Sequence, residues 1–97
     1  MPTPPNHIDP LVNAVVLVGI TRTDAQNEPV GYEQFYGRIE AVLPAEGIDL
    51  RLPDGTLRRL PPQRNALQPA EPGSYTLQST GEVVTDPDFT ALYFVSV

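Results

Sequence analysis

Apolar and polar side chains alternate with a period of two along much of this chain, most clearly over residues 33–43. One parity there is Phe35, Gly37, Ile39, Ala41 and Leu43, and the other is Tyr36, Arg38, Glu40 and Val42. A period of two is that of a β-strand with one buried face. After turn residues 44–47, the apolar parity continues at Ile48, Leu50 and Leu52. The pattern predicts two successive strands whose apolar side chains face the core.

Further strands are predicted on both sides of this region. Residues 13–23 are apolar on both parities, which is typical of a central strand or of one that passes from one half of a barrel to the other. Residues 74–79 alternate as a strand with Leu77 inward, and residues 83–84 extend a short hairpin with it. Residues 90–97 are predicted to be the closing strand.

Turn residues separate these segments. Leu52-Pro53-Asp54-Gly55-Thr56 predicts a tight reversal, because proline presets one turn dihedral and glycine accepts the positive φ that the reversal needs. Pro61-Pro62 removes two backbone donors, so the preceding strand must end there. The stretch from Arg64 to Leu67 is then predicted to form a single 3₁₀ or helical turn at a corner of the fold.

The first turn also predicts a strand register. If residues 44–47 form a four-residue loop, Leu43 lies opposite Ile48 and Glu40 lies opposite Arg51. Opposite charges on directly paired positions stabilise a sheet. We therefore expect an ion pair between Glu40 and Arg51 on the outer face.

The second turn predicts an irregularity. With Leu52 opposite Leu57, regular pairing would place Leu50 opposite a charged side chain. One inserted residue corrects the parity, so we predict a β-bulge at Arg58-Arg59 that returns Leu60 to the core opposite Leu50.

These elements predict an all-β fold, a small SH3-like (Sm-like) antiparallel barrel of five to six strands with one short 3₁₀ or helical turn near Arg64. An OB-type barrel is the nearest alternative, but it usually carries a helix that the pattern does not show. Residues 1–10 hold four of the twelve prolines and are expected to form a flexible arm. Residues 11–97 are expected to form a single small barrel domain, since 97 residues support one core.

Composition narrows the possible functions. The chain has no cysteine, which excludes disulfides, thiolate nucleophiles and cysteine-based metal sites. Its net charge of −6 disfavours nucleic acid and anionic lipid as partners. The longest apolar run, residues 14–20, is too short to span a membrane, and residues 1–7 lack a secretory signal. We expect a cytoplasmic protein without a membrane partner.

Basic residues are concentrated in the middle of the chain. Every base is arginine, and five of the six lie within residues 34–65. On the outer face of the predicted meander we expect an arginine cluster formed by Tyr36, Arg38, Arg51, Arg58 and Arg59, with only Glu40 clearly balancing it. Guanidinium forks and a tyrosine ring suit an acidic partner segment or a phosphate. The alternative is a solvated strand face whose charges prevent edge aggregation.

Other chemistry-bearing residues are few. His7, the single histidine, stands in the Pro-rich arm away from any nucleophile or ligand set. Glu82, Asp86 and Asp88 place three carboxylates within seven residues, but their spacing matches no calcium loop and favours turn formation. No catalytic, cofactor or metal site is predicted, and we expect no enzyme activity and no cofactor.

Part of the chain resembles the first signature of Sm-like RNA-binding proteins. The resemblance lies in Gly37-Arg38-Ile39, Gly47-Ile48-Asp49-Leu50-Arg51-Leu52 and Asp54-Gly55, under a quarter of the chain. In that family an aspartate before the second turn and an asparagine on the third strand bind the base. Residues 42–45 contain no aspartate, and Asp49 stands near the asparagine position. The resemblance therefore does not imply RNA binding.

A broader resemblance, from residue 16 to residue 88, is to short uncharacterised bacterial proteins with a small β-barrel pattern. It lies in Gly37-Arg38-Ile39, Asp54-Gly55, Leu60-Pro61-Pro62, Gly73-Ser74-Tyr75-Thr76-Leu77 and Ser79-Thr80-Gly81-Glu82-Val83-Val84. It implies a bacterial source and a conserved small domain, with no assigned activity.

Together these observations favour a non-enzymatic protein-interaction module, accessory or immunity-like, whose partner is another protein. The alternative is a nucleic-acid-associated Sm-like barrel that uses the arginine cluster. A third hypothesis is an enzyme or small-ligand binder whose site, with Glu82, Asp86 or Asp88, is completed by another chain.

Overall fold

The structure, a computed structural model, describes residues 10–78 and 80–96, and for Arg64 it describes the backbone alone. The predicted arm, apart from Pro10, lies outside the described residues, as do His7, Ser79 and Val97. The described chain forms eight strands and one 3₁₀ turn: β1 Val15–Thr23, β2 Pro29–Leu43, β3 Gly47–Arg51, β4 Leu57–Leu60, the 3₁₀ turn Arg64–Ala66, β5 Leu67–Pro69, β6 Ser74–Thr76, β7 Val83–Thr85 and β8 Phe89–Ser96.

Six of these strands form one sheet in the order β4-β3-β2-β1-β8-β5, and β6 and β7 form a separate hairpin. The predicted all-β class and the 3₁₀ turn are confirmed. The sheet is not a closed antiparallel barrel, because β8 runs parallel to β1 and the described end strands β4 and β5 do not pair with each other. After β4 the chain crosses to the far side of β1, so β8 enters beside β1 in the same direction.

One face of the large sheet carries the core. Register places Ile39 opposite Leu50, Ile48 opposite Leu60, and Val18 opposite Ala91, and cross-strand partners share a face. The buried cluster consists of Val16, Val18, Phe35, Ile39, Ile48, Leu50, Leu60, Leu67, Ala91 and Tyr93. The predicted inward face is confirmed at Phe35, Ile39, Ile48 and Leu50, which all lie in this cluster. It is wrong at residues 41–43, because Val42 pairs with Ile48 and packs against the cluster whereas Ala41 pairs with Asp49 on the outer face.

The bulge lies on a different strand from the one predicted. Pairing between β3 and β4 is regular and puts Arg58, not Leu60, opposite Leu50. The reason is the turn: the Leu52 amide donates to the Thr56 carbonyl at 2.9 Å, so residues 52–56 form a five-residue reversal. The additional residue is absorbed in this turn, and the parity of β4 needs no bulge.

The irregularity is instead at Glu40 in β2. Ile39 pairs with Leu50 and Ala41 pairs with Asp49, so Glu40 has no direct partner and Arg51 faces Arg38. The predicted register between β2 and β3 is therefore wrong by one residue next to the turn, where Val42 and not Leu43 pairs with Ile48, and by two beyond the bulge, where Arg38 and not Glu40 pairs with Arg51.

Gly37 is a point of close backbone approach, as expected for a glycine inside a strand. A Cβ atom at this position would lie 2.5 Å from the Arg51 carbonyl oxygen and 3.1 Å from Leu50 Cγ. The absence of a side chain lets the end of β3 cross tightly over β2 here.

The hairpin after the corner agrees with the prediction, with shorter strands. Tyr75 pairs with Val84, and Leu77 is 1% exposed. The short strand β5, which pairs with the first half of β8, is not predicted by the sequence pattern. No helix of the length and apolar character that a bilayer crossing requires occurs in the described part of the chain.

Candidate interaction surface

The five residues of the arginine cluster lie on both faces of the sheet. Arg38 pairs with Arg51, and Arg59 pairs with Asp49, so these side chains project from the outer face. Arg58 pairs with Leu50 and therefore projects from the core face. A single cluster of five is not formed, because adjacent strand residues such as Arg58 and Arg59 point in opposite directions.

Three members of the cluster meet at one cleft of about 450 Å³. Three segments form its walls. They are Val12, Asn13 and Val15 before and at the start of β1, Tyr36–Glu40 of β2, and Arg51–Pro53 at the end of β3 and just after it. Asn13 closes one side of the cleft. Its backbone amide donates to the Ile39 carbonyl at 2.7 Å, and its φ angle is 78°. We call this depression the Arg38 cleft.

Arg38 contributes an accessible positive charge to the cleft. Its side chain is exposed, and Nη1 donates to the Asn13 carbonyl oxygen at 3.0 Å. Within the described residues Arg38 forms no ion pair with a carboxylate. The hydrogen bond orients one edge of the guanidinium, and its other donors have no partner in the part of the chain that the structure describes.

Arg51 is held in place by Glu40. Its Nε and Nη2 donate to the two Glu40 carboxylate oxygens at 2.8 and 2.7 Å, and Nη1 donates to the Gly55 carbonyl at 2.8 Å. Hydrogen bonding from Arg51 lowers the pKa of Glu40. The predicted Glu40–Arg51 pair is confirmed, but it forms through the bulge and not through direct opposition. Arg51 is a fixed wall of the cleft and ties it to the 52–56 turn.

Arg59 is neutralised by two carboxylates outside the cleft. Its Nε and Nη2 donate to Asp49 at 2.8 and 3.1 Å, and Glu46 lies 3.5 Å from Nη1. Asp49 is only 8% exposed, and hydrogen bonding from Arg59 lowers the pKa of its carboxyl.

Arg58 lies over the core edge. Its guanidinium carbon is 4.3 Å from the centroid of the Phe35 ring, a cation–π geometry. Nη1 and Nη2 donate to Glu33 at 2.9 and 3.2 Å, and Arg22 donates to the same carboxylate at 3.0 Å. Hydrogen bonding from Arg58 lowers the pKa of Glu33.

The expectation that only Glu40 balances the cluster is therefore wrong. Glu33, Glu46 and Asp49 also take part in ion pairs, and the sequence pattern does not assign them to the site. The correct β3–β4 register would have placed Asp49 beside Arg59, but Glu33 and Arg58 are 25 residues apart and not on paired strands. No local pattern indicates that contact.

The predicted turn carboxylates have backbone partners. Asp86 Oδ1 accepts from the Gly73 amide, and Asp88 Oδ2 accepts from the Val15 amide, both at 2.8 Å. Among residues 10–78 and 80–96, no group of three acidic or histidine side chains could hold a metal ion.

Comparison with known proteins found no matching family model, no matching curated protein and no matching solved structure.

Proposed function

We propose that this chain is a non-enzymatic protein-interaction module whose Arg38 cleft binds a carboxylate-bearing segment of a partner protein. The observation that carries the proposal is the combination of an accessible Arg38, which forms no ion pair within residues 10–78 and 80–96, with a shaped cleft beside it. Other outer-face arginines of the cluster already have carboxylate partners, which makes Arg38 the cluster member best placed to receive an external one.

The walls of the cleft suit a short peptide segment. Arg38 supplies hydrogen-bond donors in a planar fork, which matches the geometry of a carboxylate. Tyr36 is half-buried and offers a ring face, while Val12, Val15 and Leu52 offer apolar contacts. Aromatic and arginine side chains in a partly desolvated depression are the usual centres of binding energy.

The net charge of the chain also favours some partner proteins over others. At −6, the whole chain repels a strongly acidic partner at long range and attracts a basic one. A partner that is basic overall is attracted at long range, and one or two carboxylates on its surface can bind Arg38 at short range.

An SH3-like architecture remains part of the proposal. It is supported by the β2–β3–β4 meander, by the 3₁₀ turn that follows it and by the small strand β5 after that turn. An accessory or immunity-like role would use such a scaffold through surface complementarity alone.

The alternative of a nucleic-acid-associated barrel is less well supported. Phosphate binding needs free cationic groups, but Arg51, Arg58 and Arg59 are each bound to carboxylates.

The test is binding of an array of basic peptides that each carry one or two carboxylates, and of their Asp→Asn, Glu→Gln counterparts, to the purified chain. We expect a subset of the carboxylate-bearing peptides to bind, their amide counterparts to bind at least tenfold more weakly, and Arg38→Gln to cause a similar loss. Arg22→Gln is the matched control, because Arg22 is a half-buried arginine outside the cleft, and it should change affinity by less than about twofold.

Two results would contradict this function. One is peptide binding that is unaffected by Arg38→Gln. The other is saturable binding of single-stranded RNA or DNA at low salt that is lost when Arg38, Arg51, Arg58 and Arg59 are replaced by glutamine, which would establish the nucleic-acid alternative.

A further inference from the structure

The last strand of the chain has an open edge over half its length. β5 pairs with Phe89, Thr90 and Ala91, whereas no described strand pairs with residues 92–96 on the side away from β1. Along an edge strand, alternate backbone amide and carbonyl groups point outward and are available to another strand. We call residues 92–96 the open edge.

Other edges of the sheet are protected, and this one is not. β4 carries Arg58 and Arg59 at its centre, and β5 is three residues long and ends in Pro69. Charges, prolines and short length are the usual means of preventing edge-to-edge pairing. β8 runs from Phe89 to Ser96 without a charged residue or a proline.

Exposed apolar side chains lie along the open edge. Phe94 is 75% exposed, Leu92 66% and Val95 42%. Leu92 and Tyr32 meet over Gly19, since a Cβ at that glycine would be 3.1 Å from both Leu92 Cδ2 and the Tyr32 hydroxyl. The outer face next to the edge thus carries exposed Leu92, Phe94 and Tyr32 side chains, of a kind that marks an association surface.

We propose that the open edge pairs antiparallel with the open edge of a second copy of this chain, which joins two sheets across a two-fold axis. An identical strand has the complementary chemistry, because it brings backbone partners and a second apolar row without placing any charge opposite the edge. Two chains of net charge −6 repel each other at long range, and no ion pair would form across this edge to offset that repulsion. Two copies can therefore approach best at a strand that carries no charge of its own.

The position of β5 sets the register of this pairing. β5 of each copy pairs with β8 up to Ala91, and the 3₁₀ turn before it also contacts β8. The longest overlap that avoids both β5 strands therefore runs from residue 92 to residue 96. That overlap places Phe94 opposite its own counterpart, and Tyr93 opposite Val95. Specific interfaces usually bury about 1,200–2,000 Å², and a contact built on only five residues of each strand is short, so we expect a reversible dimer.

This inference is independent of the proposed function. The Arg38 cleft includes Val15 at the beginning of β1, whereas Phe94 pairs with Thr21 near the end of the same strand. Replacing Arg38 should therefore leave the dimer unchanged.

Sedimentation velocity and light scattering over a concentration series test the pairing. The wild-type chain should shift from monomer mass to twice that mass as concentration rises. Phe94→Lys places a charge on the edge and should remain monomeric at every concentration. Val83→Lys is the matched control, because Val83 is 56% exposed on the hairpin, and it should dimerise as the wild type does. Circular dichroism checks that both variants are folded.

The lack of native cysteine allows a test of the register. Phe94→Cys should form a disulfide-linked dimer under mild oxidation much faster than Val83→Cys, because only position 94 lies on the proposed axis. A wild-type chain that stays monomeric at all concentrations would overturn the proposal. So would a dimer that persists in Phe94→Lys, or one that cross-links no faster at position 94 than at position 83.

Discussion

Tyr93 and Tyr75 show how differently two tyrosine hydroxyls are accommodated in this small fold. Tyr93 is 6% exposed, and its hydroxyl is buried without a hydrogen-bond partner among the described residues. The Tyr75 hydroxyl donates to the Glu71 carbonyl at 2.7 Å. A buried polar group without a partner costs stability, whereas a satisfied one contributes to it.

Tyr93→Phe should therefore stabilise the protein, by about 1 kcal/mol in the free energy of unfolding, because it removes the unpaired hydroxyl and keeps the ring. Tyr75→Phe, the matched change, should destabilise it by about 1 kcal/mol, because it breaks a hydrogen bond. Urea unfolding followed by circular dichroism measures both. A loss of stability in Tyr93→Phe would show that the hydroxyl is bonded in solution.

The same residue should affect stability in alkali. Burial raises the pKa of the Tyr93 phenol, so the folded state resists its ionisation more than the unfolded state does. The stability that Tyr93 provides in its neutral form is present below the ordinary tyrosine pKa of about 10 and is lost as the pH rises through the raised value. Tyr93→Phe should reduce the loss of stability at alkaline pH, because it removes the ionisable hydroxyl.

Individual ion pairs were only partly predictable. The Glu40–Arg51 pair follows from opposite charges on two neighbouring strands joined by a short turn, and it forms despite the wrong register. Long side chains can still meet although Arg51 lies opposite Arg38, two residues from the predicted partner. The Arg58–Glu33 pair was not predicted, since it depends on how the edge of β4 lies over β2.

The crossing of β3 over β2 depends on a single missing side chain. At Gly37 a Cβ would meet the Arg51 carbonyl at 2.5 Å, and backbone cannot move aside as a flexible side chain can. Gly31, in the same strand, has only Arg22 side-chain atoms at 3.9 Å from such a Cβ. The two glycines of β2 thus provide a matched comparison.

Gly37→Ala should destabilise the fold by about 1–3 kcal/mol or more, because it overpacks a buried backbone contact. Gly31→Ala should be neutral or stabilising by up to about 1 kcal/mol, since alanine restricts the unfolded chain and meets only ordinary contacts. Thermal and urea unfolding of both variants measures the difference. Equal effects at the two positions would contradict the crossing described here.

Strand existence was easier to predict than strand pairing. The period of two assigns Phe35, Ile39, Ile48 and Leu50 to the inner face, and all four lie in the buried cluster. The assignment fails at Ala41 and Val42, because the bulge at Glu40 exchanges the two faces there. The register was wrong at both turns, because a turn can absorb one residue without changing the apolar pattern. Both the five-residue reversal at 52–56 and the bulge at Glu40 take up one additional residue. Each therefore sets which side chains of the adjoining strand face the core.

Across the molecule, carboxylates with lowered pKa values link stability to pH. Hydrogen bonds from arginine lower the pKa of Glu33, Glu40 and Asp49, and hydrogen bonds from Thr56 lower that of Asp54. A carboxyl with a lower pKa in the folded state stabilises that state when ionised. This contribution is present above the unfolded pKa and is lost as the pH falls through the folded one.

The free energy of unfolding should accordingly be nearly constant around neutrality and should fall as the pH decreases below about 5. Glu33→Gln should make this acid loss smaller, because Glu33 accepts from both Arg58 and Arg22. Urea unfolding at a series of pH values measures the slope. The long-range repulsion of a −6 chain acts in the opposite sense, so the comparison between variants isolates the local effect.

Glu71→Gln is the control for this measurement, because the Glu71 side chain forms no described ion pair. Like Glu33→Gln, it removes one acidic group and one negative charge. An acid dependence that decreases equally in both variants would contradict a specific role for the Glu33 pairs.

The sequence by itself determined that residues 33–39 and 48–52 alternate between an inner and an outer face, and where the chain reverses at Asp54-Gly55. These features depend on neighbours within a few positions, through side-chain alternation and backbone dihedral preference. Only the tertiary structure decided that β8 runs parallel to β1, that the sheet stays open, and that the arginine cluster divides between two faces. Alternation specifies the face of a residue but not which distant strand lies beside it, and that choice is made by the packing of the whole chain.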